Sequence, residues 1–261
     1  MNRHALLDAK SELTQAIRAS EEWTPSYKRH SETFIPLLRY EAELERQTAE
    51  YLAGLAERAP GYVDWALVPE PVRLQAASTP LANKTDEVWQ GEVLDMTKAI
   101  IDAITMLTVT GAQYGVLEYG IAIEATPLTD WILIAAREHT AGLVSGVTDT
   151  NRKLIQEALK QGIARGEDRD AMVDRIRKVI NNPVRAEMIA QTEAVNAYQS
   201  GLMNFGLETG AKTKTWEALA GACKVCAPLD GETVAIAKVF SNGVDTPSAH
   251  PRCRCGVIYN Y

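Results

Sequence analysis

All four cysteines of this 261-residue chain fall within its last 39 residues, as Cys223-Lys-Val-Cys226 and Cys253-Arg-Cys255, with His250-Pro251 just ahead of the second pair. A Cys-x-x-Cys pair answered by a His/Cys cluster is the spacing that gathers soft ligands around one tetrahedral Zn²⁺, because each short pair chelates from a single turn. The candidate metal ligands are Cys223, Cys226, His250, Cys253 and Cys255. A closed four-ligand set is structural, whereas a catalytic metal keeps an open position. In extended backbone Cys253 and Cys255 share a face, and Pro251 biases His250 away from helix. Cys223, Cys226 and His250 would then fill three positions and one of Cys253 and Cys255 the fourth. Two other readings stay open at this stage. The cysteines could form two disulfides, although Met1-Asn-Arg-His-Ala at the N-terminus does not resemble a signal peptide, or they could be free buried thiols.

With 46% apolar residues, the chain is long enough for one large or two modest domains, each with its own core. The longest strongly apolar run, residues 131–136, is interrupted by Arg137 and is too short to cross a bilayer. The expectation is a soluble protein of a reducing cytoplasm with no membrane partner. The net charge of −7 is unevenly spread: residues 1–150 carry 12 basic and 22 acidic side chains, and residues 151–261 carry 15 and 12. The acidic half argues against broad wrapping by nucleic acid, and the mildly basic half leaves local phosphate contact open.

The pattern predicts an α+β chain, mainly helical over its N-terminal and central regions, followed by a small β-rich, zinc-stapled C-terminal module. Leu6, Leu13 and Ile17 mark a first helix; Thr24-Pro25 and Pro36 punctuate the pattern; Leu37, Leu44, Tyr51, Leu52 and Leu55 mark a second. Four prolines between Pro60 and Pro80 predict a connector. From a cap at Asp86, Trp89, Val93, Met96, Ile100, Ile104 and Leu107 draw one apolar stripe. The Gly-rich stretch from Gly111 to Gly120 reads as helix or hairpin, closed by Pro127. Caps are expected at Thr129-Asp130, Thr148-Asp149 and Asp168, and Pro183 opens a helix that stops at Gly210. Beyond it, residues 212–216, 233–240 and 257–261 read as strands around a Leu229-Asp-Gly231 turn. The expected divisions are 1–84, 85–210 and 211–261. A module of about 50 residues buries little core, so a bound metal would hold it folded.

One further segment could carry chemistry. Arg185 and Glu193 are eight residues apart on a predicted helix, with Thr192 beside the carboxylate, and such a set could bind an anion or a nucleotide. The competing reading is a helix pinned to its neighbours by ion pairs. His4, His30 and His139 have no Cys or second His at ligand spacing. The chain contains no Walker or Rossmann glycine loop, no Gly-x-Ser-x-Gly elbow and no His-Glu-x-x-His helix, and no nucleophile-base pair is evident.

Taken in order, Arg185-Ala-x-x-Ile189-Ala-x-Thr192-Glu193, Lys214-Thr-Trp216, Cys223-x-x-Cys226-x-x-Leu229-Asp230-Gly231 and His250-Pro-x-Cys253-Arg254-Cys255 form a series that resembles the Mu F-like minor head proteins of tailed bacteriophages. The resemblance covers roughly residues 130–261, and Gln191 stands where the family commonly has Arg. It implies a non-enzymatic minor capsid protein needed for head morphogenesis, present in several copies inside the virion head near the portal vertex. Its implied partners are the portal protein and other capsid or scaffold proteins, with local contact to packaged DNA in some members. The rival classes are a nucleotide-dependent protein-modifying transferase using Arg185 and Glu193, and a zinc-dependent nucleic-acid-binding module.

Overall fold

The apolar stripe that begins at Trp89 becomes the spine of a 33-residue helix, and the rest of the fold is built around helices of similar length. The computed structural model describes residues 22–68, 80–126 and 129–261. The helix expected around Leu6 to Ile17, most of the Pro60–Pro80 connector and Pro127 lie outside them. The elements are α1 (Ser31–Arg58), α2 (Glu87–Tyr119), α3 (Asp130–Arg165), α4 (Arg169–Ile180), α5 (Pro183–Glu208), β1 (Thr213–Glu217), β2 (Thr233–Ala235) and β3 (Gly256–Asn260). The chain is therefore mainly helical with a small antiparallel sheet at its C-terminal end, ordered β2-β1-β3.

Most boundaries follow local chemistry. Asp168 caps α4 by accepting from the Ala171 amide at 2.8 Å. Gly120 and Gly210, at φ +65° and +79°, follow the ends of α2 and α5 in the left-handed conformation that glycine tolerates best. Three expectations are overturned. Pro36 does not punctuate; it lies inside α1, where it forfeits only one early bond, and buried Leu37, Leu44, Leu52 and Leu55 carry the helix past it. Thr148-Asp149 is no cap but mid-helix in α3, because buried Val144, Val147, Asn151, Ile155 and Leu159 continue one face across it. The third predicted strand segment, 233–240, is strand only over Thr233–Ala235, although Phe240 remains buried, edge-on to Trp216.

Packing divides the chain into two units. One comprises the described parts of Met1–Leu44 with Ala103–His139 and Met188–Tyr261; the other comprises Glu45–Asp102 and Thr140–Glu187, again as far as described. Helices α1, α2, α3 and α5 each contribute residues to both. In the second unit Glu92, 2% exposed, receives both arms of the Arg58 guanidinium at 2.8 Å and the Tyr62 hydroxyl at 2.5 Å. Burial opposes its charge, but these donors outweigh burial and hold its carboxyl below the usual range.

In the first unit α2 remains helical through the Gly-rich stretch, and its glycines serve close approach. A Cβ on Gly111 would stand 1.9 Å from the Tyr198 carbonyl oxygen, and one on Gly201 would stand 1.9 Å from the Thr108 carbonyl oxygen. The contact is reciprocal, so the two backbones touch. Gly201→Ala is expected to push the helices apart at a cost of about 1–3 kcal/mol in denaturant melts. Gly142→Ala, at an exposed α3 position with open space around it, should be neutral or stabilising in the same assay. By length and composition alone α2 could cross a membrane, yet Met96, Ile100, Ile104 and Leu107 are fully buried within the protein, as in a core helix. Beyond α5, β1 pairs with β3 in the register Trp216↔Val257, and on the far side of β3 the Tyr259 amide donates to the Tyr119 hydroxyl at 2.8 Å.

Candidate metal centre

Two tight turns face one another at the end of the small sheet. In the first, the Cys226 and Ala227 amides donate to the Cys223 carbonyl at 3.1 and 2.9 Å. In the second, the Cys253 amide donates to the His250 carbonyl at 3.2 Å, a closure that puts Arg252 at φ 63°. The two turns thus repeat one device, each presenting residues i and i+3 as a chelating pair. The chain between them is folded back by the Leu229-Asp230-Gly231 turn, in which Asp230 Oδ1 accepts from the Ala218 amide at 2.9 Å and Gly231 adopts φ +77°.

All five predicted donors come together. Cys223, Cys226 and His250 form one group and Cys226, Cys253 and Cys255 another, with the donor atoms of each group within 4.8 Å of one another. The four cysteines are free thiols. The sulfurs of Cys226 and Cys253 are 3.7 Å apart, far beyond a bonded pair but close to the roughly 3.8 Å that two 2.3 Å Zn–S bonds subtend at a tetrahedral angle. His250 Nε2 lies 3.2 Å from Cys223 Sγ, and Nδ1 is 2.8 Å from the Pro251 carbonyl. With a metal bound, a proton on Nδ1 would satisfy that carbonyl and Nε2 would be the lone-pair donor facing the thiols.

The electrostatics suit a cation. Burial opposes ionisation of Cys223, but the Cys226 and Val225 amides and His250 outweigh it and bring the thiol below its ordinary value. Hydrogen bonds from the Cys226 and Cys255 thiols hold Cys253 well below the ordinary thiol range, and Cys253 in turn raises His250 to about 9. Cys253 and its hydrogen bonds push the Cys226 and Cys255 thiols up in turn. The cluster therefore favours a Cys253 thiolate beside a protonated His250, and a divalent ion would compete with those protons. The donor set and its spacing fit a metal, and soft thiolates with one imidazole fit zinc.

Sequence reasoning assigned no role to Arg254, yet it ties the Cys/His turns to the helices. The side chain is 3% exposed, forks onto Glu41 at 2.5 and 2.8 Å, donates to the Gln191 carbonyl at 3.3 Å and lies 3.8 Å over the Trp23 ring. Alternation along an extended chain carries the signal, because Cys253 and Cys255 share one side and send Arg254 to the other. Nearby, Tyr27 donates its hydroxyl to the Cys255 carbonyl at 2.9 Å and accepts from Gln199 at 2.6 Å.

The Thr192-Glu193 pair serves the same junction. Thr192 Oγ1 accepts the Arg252 amide at 3.0 Å. Glu193 lies 3.0 Å from His139 Nε2 and accepts from Asn196, whose Oδ1 receives the Ser248 amide and hydroxyl. Arg185 is not part of this set: its Nη1 donates to Asn151 Oδ1 at 2.6 Å. Eight residues at 100° each leave Arg185 and Glu193 about 80° apart around the helix, so the anion or nucleotide site expected from that pair is not assembled. His139, set aside for lack of ligand spacing, proves to be the partner of Glu193.

Comparison with known proteins adds one result. No curated protein and no solved structure matches the chain. Residues 153–258 match the model of the family described as Phage Mu protein F like protein, and that span holds Thr192, Glu193, Arg254 and all five candidate ligands. From the second half of α3 to β3, about two fifths of its length, this chain is therefore similar to the Mu F-like phage proteins.

Proposed function

We propose that the protein is a minor capsid component that joins the phage head during assembly by associating with the portal vertex from the inside, and that it acts as a structural part and not as an enzyme. The observation that carries this reading is the use to which the family residues are put. Thr192, Glu193, Arg252 and Arg254 all hold the Cys/His turns against helices. A transferase built on Arg185 and Glu193 would need the two side chains at one ligand, and each has a different partner.

Zinc is the proposed structural cofactor, held by Cys223, Cys226, His250 and Cys253. Each of the two similar turns would supply its i and i+3 residues to a tetrahedral site, with Cys255 as a buried spare thiol beside it. The metal would supply cross-linking and no chemistry. For a partner, the first unit offers a cleft of about 320 Å³ lined by Trp131, Ile134, Glu138 and Asn204, with Ile134 left 55% exposed. Contact with packaged DNA would be local, given the acidic N-terminal half.

The test is co-expression with the portal protein of the same phage. The expected result is co-purification of the two, retained by Cys255→Ser and weakened at least tenfold by Ile134→Asp, a substitution on an exposed helix position that leaves the core intact. Failure of the wild-type pair to co-purify, with procapsids assembling normally in its absence, would remove the portal assignment.

A further inference from the structure

We infer that Arg185 is the centre of an oxyanion site of the phosphate class, independent of the metal centre and of the head-assembly reading. The guanidinium is half-buried and carries a full charge, yet its sole hydrogen bond among the described residues is to a neutral group, Asn151 Oδ1, at 2.6 Å. Elsewhere in the same unit the buried charge follows the usual rule: Glu92 is matched by the Arg58 fork. At Arg185 burial works against the positive form, and no carboxylate compensates it.

Asn151 supplies the second observation. It is 0% exposed, and its Nδ2 has no hydrogen-bond partner. The amide cannot be turned round to cure this, because guanidinium only donates and must face Oδ1. Nδ2 is therefore fixed beside the guanidinium as a second set of unused donors. Tyr51, also buried near Arg185, stays a neutral phenol, because burial and the Glu92 carboxylate push its ionisation far up. One turn earlier on the same two helices, the Thr48 and Thr148 hydroxyls are likewise buried without a partner. Arg185 and Asn151 together therefore offer more donors than their one shared acceptor, Oδ1, can meet. Arg185 also occupies the first turn of α5, whose N-terminal dipole favours negative charge. A tetrahedral oxyanion offers several acceptors to such a set, and a guanidinium fork is shaped for it. The anion could be free phosphate or a phosphate of a nucleic-acid backbone.

The experiment is thermal unfolding of the full chain in increasing inorganic phosphate, against sodium chloride of equal ionic strength. The wild type should gain about 5 °C in Tm when phosphate reaches a hundredfold excess over its dissociation constant, and Arg185→Gln should gain none. Asn151→Asp builds a carboxylate into the site; it should melt higher than wild type in phosphate-free buffer and lose the phosphate response. A short duplex oligonucleotide forms the third arm. An Arg185-dependent rise with the oligonucleotide and none with phosphate would assign the anion to nucleic acid. A wild type unresponsive to both, a response equal in Arg185→Gln, or an Asn151→Asp protein less stable than wild type would each overturn the site and point to buried water instead.

Discussion

Cys226→Ser is expected to cost the protein its zinc and, with it, the fold of the C-terminal module. Cys226 stands in both donor groups, so its loss breaks both. Structural zinc in small modules is worth about 10–16 kcal/mol of apparent binding free energy, more than a three-stranded sheet of this size supplies by burial. Elemental analysis should find one zinc per chain in the wild type and in Cys255→Ser, and little in Cys226→Ser or Cys253→Ser. Chelation of the wild type should expose Trp216, now 1% exposed and packed on Phe240, and so shift the tryptophan fluorescence to the red. Acid should act in the same direction, since protons compete with the metal for thiolate and imidazole. Fully folded, metal-free wild-type protein would refute the assignment.

The second large effect belongs to Arg254. Arg254→Ala leaves the Glu41 carboxylate, whose side chain is 14% exposed, without its bidentate partner, and uncovers the Trp23 face. Breaking one side of a buried pair costs about 3–5 kcal/mol, because the remaining charge stays desolvated. Urea melts of the zinc-loaded protein should show that loss. Arg254→Lys should recover only part of it, since an ammonium cannot fork or stack as guanidinium does. In a double-mutant cycle, Glu41→Ala together with Arg254→Ala should cost much less than the sum of the two single changes. Additive costs would show that the pair is not a unit.

The long periodic helices and the ligand spacing were legible in the sequence for the same reason: each is written in residues a few positions apart. Trp89 to Leu107 repeats with the helical period, and Cys223/Cys226 and His250/Cys253 each close within one turn. What was not legible depends on partners far along the chain. Thr148 looked like a cap because caps are local, and the buried row that carries α3 through it is recognised only by what it packs against. The Gly111 to Gly120 stretch was ambiguous because glycine weakens every local preference, while its purpose is contact with a helix some ninety residues later. Arg185 and Glu193 looked like neighbours by counting residues, and their true partners, Asn151 and His139, lie on a different helix. Which of the five donors would take a metal is open in the sequence, because spacing does not show that the two turns are built alike.

The hydroxyl of Tyr119 on the Tyr259 amide also bears on how two copies of this chain can meet. In the order β2-β1-β3, β3 is a sheet border, and a border with free amides invites a second molecule to continue the ladder. Here a side chain occupies that position, and the opposite border, β2, is only three residues long. Both borders of the sheet are thereby made poor templates for strand-to-strand pairing with a second copy.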